Sequence, residues 1–160
     1  MDPGSWARTQ NNLGNTLFSL GSLAGDPKRL EEAIAAFRNV LKVLTHEDMP
    51  ADWASTQNSL GITLRSLGDL AGDAKRLEEA VAAYRNALEV RTREDMPADW
   101  AMTQHNLAMT LKSLGALRKD ASVLAEAKAA VLLALEIATD DENYKDTLQQ
   151  IDAAIAALGT

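Results

Sequence analysis

The sequence predicts an all-α protein: a solenoid of three helix-turn-helix repeats followed by a C-terminal capping helix, seven helices in all. Three observations carry that expectation. The chain repeats at an interval of 47 residues, with 33 identities between residues 3–49 and 50–96 and 25 between 50–96 and 97–143. Internal duplication at such a period is the signature of stacked repeats. Within one unit the apolar residues Trp53, Leu60, Leu64 and Leu67 recur at helical spacing, and a second set follows at Leu77, Val81, Tyr84 and Leu88. Alanine and leucine supply most of the 46% hydrophobic content while aromatics make up only 4%, which suits close-packed helices better than sheets.

Each element has its own punctuation. The first helix is expected over about residues 5–21, and Gly25-Asp26-Pro27 then offers a terminating glycine, an aspartate cap and a proline suited to the next first turn. The second helix follows over about 27–44. Pro50 breaks the chain and opens a third helix at 51–69, "GDLAGDA" leads into a fourth at 74–91, and Pro97 opens a fifth at 98–116. A sixth is expected over 121–138. The last, at 142–158, carries Tyr144, Leu148, Ile151, Ile155 and Leu158 on one stripe, with Asp146, Gln149, Gln150 and Asp152 keeping the remainder polar, as a capping helix requires. The repeats thus fill 3–49, 50–96 and 97–143 of a single domain, 1–160. "MDPGSW" stands where the other repeats have "DMPADW", and it reads as the seam of a segment taken from a longer array or of an engineered chain.

Charge and composition exclude several functions. A formal charge of −7 opposes a sequence-independent grip on nucleic acid, which depends on clustered lysine and arginine. Lys28-Arg29 and Lys75-Arg76 are each followed by glutamates and read as solvated helix starts. No apolar run is long enough for a membrane span and the first residues do not form a signal peptide. The absence of cysteine removes disulfides, thiolate metal sites and a thiol nucleophile. A soluble, cytoplasmic protein is expected.

At this point the residues resemble a family. Leu13-Gly14, Ala33 with Phe37, and Pro50 match the tetratricopeptide repeat pattern, as do Leu60-Gly61, Ala80 with Tyr84, and Pro97. The third repeat departs, with Ala108 at the glycine position and Val131 at the aromatic one. Two further departures concern every repeat. The family's tryptophan would fall at Gln10, Gln57 and Gln104, whereas Trp6, Trp53 and Trp100 stand one helical turn earlier on the same face. The unit also exceeds the family's length of about 34 residues. The added residues fall almost evenly on either side of the alanine anchor, lengthening both helices. The tryptophans are therefore expected to pack the added turns, and the recurring glutamines to hydrogen-bond across the first helices.

No catalytic constellation emerges. His46 lies in the loop "THEDMP", where Glu47 and Asp48 lack the spacing that sets metal ligands on one helix face, and a solvated loop is the expectation. His105 has no acid beside it, and phosphate loops, nucleophile elbows and dinucleotide fingerprints are missing. Neither enzyme activity nor a metal or cofactor is expected.

The resemblance implies that the first helices line a concave face of a right-handed solenoid. It would place Arg8, Asn11, Asn15, Phe18 and Ser19 there from repeat one, Ser55, Asn58, Ile62, Arg65 and Ser66 from repeat two, and Met102, His105, Met109, Lys112 and Ser113 from repeat three. These columns are polar, mixed and mostly different from unit to unit. Such a surface suits a peptide or partner domain, with asparagines for its backbone and Arg8, Arg65 and Lys112 for an acidic group. The rival reading is a structural self-assembly unit whose repeats stack between chains. Because no helix comparable to the C-terminal cap covers the first repeat, a weak homodimer through the N-terminal end is also expected.

Overall fold

A computed structural model describes residues 2–159; Met1 and Thr160, the outermost residues of the expected domain, lie outside the described residues. Among the described residues there are seven α-helices: α1 Pro3–Ala24, α2 Pro27–Leu41, α3 Pro50–Ala71, α4 Ala74–Val90, α5 Pro97–Arg118, α6 Ala121–Ile137 and α7 Glu142–Leu158. Within each unit successive helices pack on one another, and the chain is an all-α repeat protein of the solenoid class. It groups into two compact units, Met1–Val90 and Arg91–Thr160.

The helix ends show why the boundaries fall where they do. α1 and α3 run past the expected stops because Gly25 and Gly72, not the preceding glycines, adopt the left-handed conformation, at φ 60° and 62°, and donate their N–H to the carbonyls of Gly21 and Gly68. α5 ends the same way on Lys119, at φ 54°, a residue with a Cβ where the other repeats have glycine. Asp26, Asp120 and Asp141 each accept two backbone N–H bonds from the first turn of the helix they precede. α2 stops at Leu41, earlier than expected, because the Lys42 and Val43 amides bond three residues back and tighten the chain out of the α-helix.

In the first unit Leu30, Ile34, Phe37 and Val40 of α2, Leu64 of α3, and Leu77 and Tyr84 of α4 are sealed from solvent. The Leu-Gly positions mark the close approach within each hairpin. A Cβ on Gly14 would lie 2.7 Å from the Phe37 ring, and one on Gly61 would lie 2.7 Å from the Tyr84 ring. The second helices are tied across the outside: Arg38 pairs with Glu79, and Arg76 bridges Glu31 at 2.8 Å and Glu79 at 3.3 Å. Such exposed pairs contribute at most about 1 kcal/mol each, and two of them, Arg38–Glu79 and Arg76–Glu31, join α2 to α4.

In the second unit Leu124, Val131 and Ala134 of α6 pack with the buried Leu111 and Leu114 of α5. α7 lies against both helices. Its Ile151 is fully buried and Tyr144, Leu148, Ile155 and Leu158 are half-buried, while Asp146, Gln149, Gln150 and Asp152 face solvent, the amphipathic division expected of a cap. Lys128 of α6 pairs with Asp152 at 2.7 Å.

Candidate ligand-binding surface

Each first helix opens on a proline and carries a threonine one residue before the recurring glutamine. That threonine is the polar hinge of the packing. Thr56 donates its hydroxyl proton to the Asp52 carbonyl at 2.8 Å, and its oxygen accepts from the Asn11 amide nitrogen at 3.1 Å. The hydrogen bond joining α1 to α3 therefore runs through the threonine, while Gln57 lines a small recess with Leu41 and Leu60. Thr103, the same position in the second unit, donates to the Asp99 carbonyl at 2.7 Å and accepts from Arg91 at 3.1 Å.

The tryptophans are half-buried, neither enclosed nor free. Trp6 packs on Ala7, Val40 and Leu44. The inter-repeat loop closes over the other two: His46 meets the Trp53 ring edge-on at 5.0 Å, and Arg93 lies over the Trp100 ring at 5.7 Å. His46 is exposed, as expected, yet its ring shields the indole. Arg93 is also paired with Glu136 of α6.

The residues expected to face a ligand divide by location. In the first unit Arg8, Asn15 and Ser55 are exposed, Asn11, Phe18, Ile62 and Arg65 are half-buried, and Asn58 is buried. Arg8 and Asn11 come together in one cavity of about 440 Å³, lined also by Asp2, Ser5, Asn12, Leu44, Met49 and Asp52. In the second unit Met102 is exposed, and His105, Met109 and Lys112 are half-buried. α7 engages two of these four. The His105 imidazole Nε2 is 2.8 Å from the Thr147 hydroxyl and its ring lies 4.4 Å from that of Tyr144, while Lys112 donates to Gln150. Burial raises the Tyr144 pKa, with the Asp141 carboxylate adding to the effect, so the ring beside His105 stays a neutral phenol.

Sequence reasoning singles out neither Asp52 nor Leu44 as a functional residue. Asp52 belongs to the "PADW" shared by the second and third repeats, and the one available signal for Leu44 is that its counterpart 47 residues later is Arg91, a charge at a buried position. Among the described residues no group of three or more histidines, aspartates or glutamates is disposed to hold a metal, and no helix is long and apolar enough to cross a membrane.

Duplicated helical hairpins, each closed by a small residue against a larger one, define a helical-repeat protein. A tetratricopeptide repeat family model matches residues 6–48 and 53–94, over half of the chain, and the protein belongs to the tetratricopeptide repeat family. A search of curated proteins returned no match. Repeats of this family generally mediate protein–protein interactions, and the family is typically a non-enzymatic scaffold.

Proposed function

We propose that the protein is a non-enzymatic interaction module that binds a peptide or partner domain through its first helices, principally those of the first unit. The observation that supports this is the side-chain chemistry α1 and α3 leave open to solvent. Arg8, Asn15 and Ser55 are exposed and Phe18, Ile62 and Arg65 half-buried, in columns that differ between repeats whose Trp, Thr-Gln and first-helix Leu positions are the same. An aromatic and an aliphatic contact set among hydrogen-bonding and cationic groups is the composition of a peptide groove. In the second unit α7 occupies His105 and Lys112, and the exposed Met102 is an adaptable contact. A peptide-display selection against the immobilised protein tests the reading. Selected peptides should lose at least tenfold in affinity for a Phe18→Ala/Arg65→Ala variant that keeps its helical circular dichroism. Peptides that bind the variant equally well would overturn it.

A second reading, weak self-association through α1, is favoured by two leucines. Leu13 and Leu20 are 46% and 54% exposed, whereas Leu60 and Leu67, the same positions in α3, are 7% and 4% exposed. Leu60 shares a recess with Leu41 of α2, so a second helix is what this face accepts in the repeat that follows. Two α1 faces meeting about a twofold axis would bury both and close the assembly. Sedimentation across a concentration series should show a monomer–dimer equilibrium that Leu13→Ser/Leu20→Ser abolishes. A strict monomer would exclude the dimer, and indefinite growth would favour a stacking assembly unit instead.

A further inference from the structure

The two units treat one recurring site differently. In the second unit Arg91 occupies the loop before α5, only 6% exposed, with its guanidinium donating to the Thr103 hydroxyl at 3.1 Å. Burial lowers its pKa and the Asp99 carboxylate, in the first turn of α5, opposes that shift, so Arg91 is a buried cation whose charge this acid supports. The corresponding residues of the first unit are Leu44, Thr56 and Asp52. There the loop position is a leucine, which packs on Trp6, Ala7 and Val40 and sends no charge toward Asp52. Thr56 accepts from Asn11 instead, and Asp52 borders the cavity of about 440 Å³. That volume falls within the range of small-ligand sites.

We propose that this cavity binds the guanidinium of an arginine side chain carried by a protein partner, beside Leu44 and Asp52, the counterparts of Arg91 and Asp99 in the second unit. The charge balance agrees. Among the described residues Asp2 and Asp52 line the cavity with a single cation, Arg8, so one incoming guanidinium balances these side chains. Asp2 accepts from the Ser5 amide at 3.0 Å and hydroxyl at 3.2 Å through Oδ2 alone, and Asp52 is the carboxylate at the position that Asp99 holds in the second unit. Asn11 is the polar neighbour, holding Thr56 beside it. A guanidinium suits this setting better than an ammonium, because its planar fork can bond a carboxylate and a second acceptor together and it is more weakly hydrated.

An anion is the competing occupant, since the cavity opens near the first turns of α1 and α3, where helix dipoles favour negative charge, and Arg8 is present. The second unit argues against it. The first turn of α5 has the same polarity and the same aspartate, and a guanidinium is buried beside it. The protein's charge of −7 also favours a cationic partner.

The proposal deepens the interaction-module reading by naming the chemistry a partner presents, and its test uses a small probe so that the two can fail separately. Backbone NMR of the full chain is titrated with arginine blocked at both ends, and in parallel with blocked lysine and with inorganic phosphate. The expected result is saturable shifts in the millimolar range at Ser5, Arg8, Asn11 and Asp52, at least threefold weaker with lysine. They should disappear in Asp52→Asn, which conserves side-chain shape, and in Leu44→Arg, which would fill the cavity from within. Asp99→Asn should leave them unchanged. Arginine shifts that persist in Asp52→Asn, or a response to phosphate alone, would overturn the proposal, as would the absence of any saturable response. Displayed peptides that bind elsewhere while blocked arginine still occupies the cavity would defeat only the broader reading.

Discussion

The guanidinium of Arg93 lies 5.7 Å above the centre of the Trp100 ring, and His46 holds the corresponding place edge-on to Trp53 at 5.0 Å. The loop residue changes between repeats while its task, covering a half-exposed indole, does not. A cation over an exposed aromatic face contributes about 0.5–1 kcal/mol.

Replacing Trp100 with alanine should therefore cost about 2–3 kcal/mol, under the ~3–5 kcal/mol of a tryptophan enclosed on every side. Arg93→Ala should cost less than about 1 kcal/mol. Urea unfolding measures both. Tryptophan emission from the folded protein should be partly quenched by acrylamide, and complete protection or complete quenching would contradict the half-buried geometry.

Gly61 is constrained by Tyr84. Alanine is the better helix former by up to about 1 kcal/mol, yet its methyl would lie 2.7 Å from the tyrosine ring, so Gly61→Ala should destabilise by about 1–3 kcal/mol. The third repeat shows the compensation, with Ala108 and Val131 at these positions, both buried. In a double-mutant cycle Gly61→Ala should be tolerated far better beside Tyr84→Val, with a coupling energy of about 1 kcal/mol or more. Additive effects would mean that the ring can step aside.

Lys119 sits at φ 54° where α1 and α3 end on glycine. Its Cβ is strained there by about 1 kcal/mol. Lys119→Gly should raise stability by less than that amount, because the relief is partly offset by the entropy glycine adds to the unfolded chain. A lower melting temperature would show that the lysine side chain supports the helix end in some other way.

Asp120 caps α6, and its pKa is lowered first by the Ser122 hydroxyl and then by the Val123 and Ser122 amides. A depressed folded value means that this stabilisation is fully present above the unfolded value, near 3.8, and is lost as pH falls through the lower folded one. Asp120→Asn keeps an acceptor but cannot titrate. The stability gap between wild type and variant should narrow as pH drops below about 4. A constant gap would assign the difference to hydrogen-bond geometry alone.

The repeat period, the seven helices and the pairing of Leu-Gly with an aromatic are all legible in the sequence. They depend on local signals: periodicity, capping residues and prolines. The amphipathic stripe of α7 is legible for the same reason, because one helix face repeats regularly along the chain. What lies across a helix interface is not local. That His105 meets Thr147 and Tyr144, that Asn11 spends its amide on Thr56, and that Lys112 reaches Gln150 depend on residues 38 to 45 positions apart being brought together. Spacing along one helix says only that such side chains share a face. The sharpest case is the exchange of Leu44 for Arg91. In the sequence it is one difference among many between two repeats. The tertiary structure gives it meaning, because Leu44 packs on Trp6 and borders, with Asp52, a cavity in the first unit, whereas Arg91 is buried with its guanidinium on Thr103 in the second.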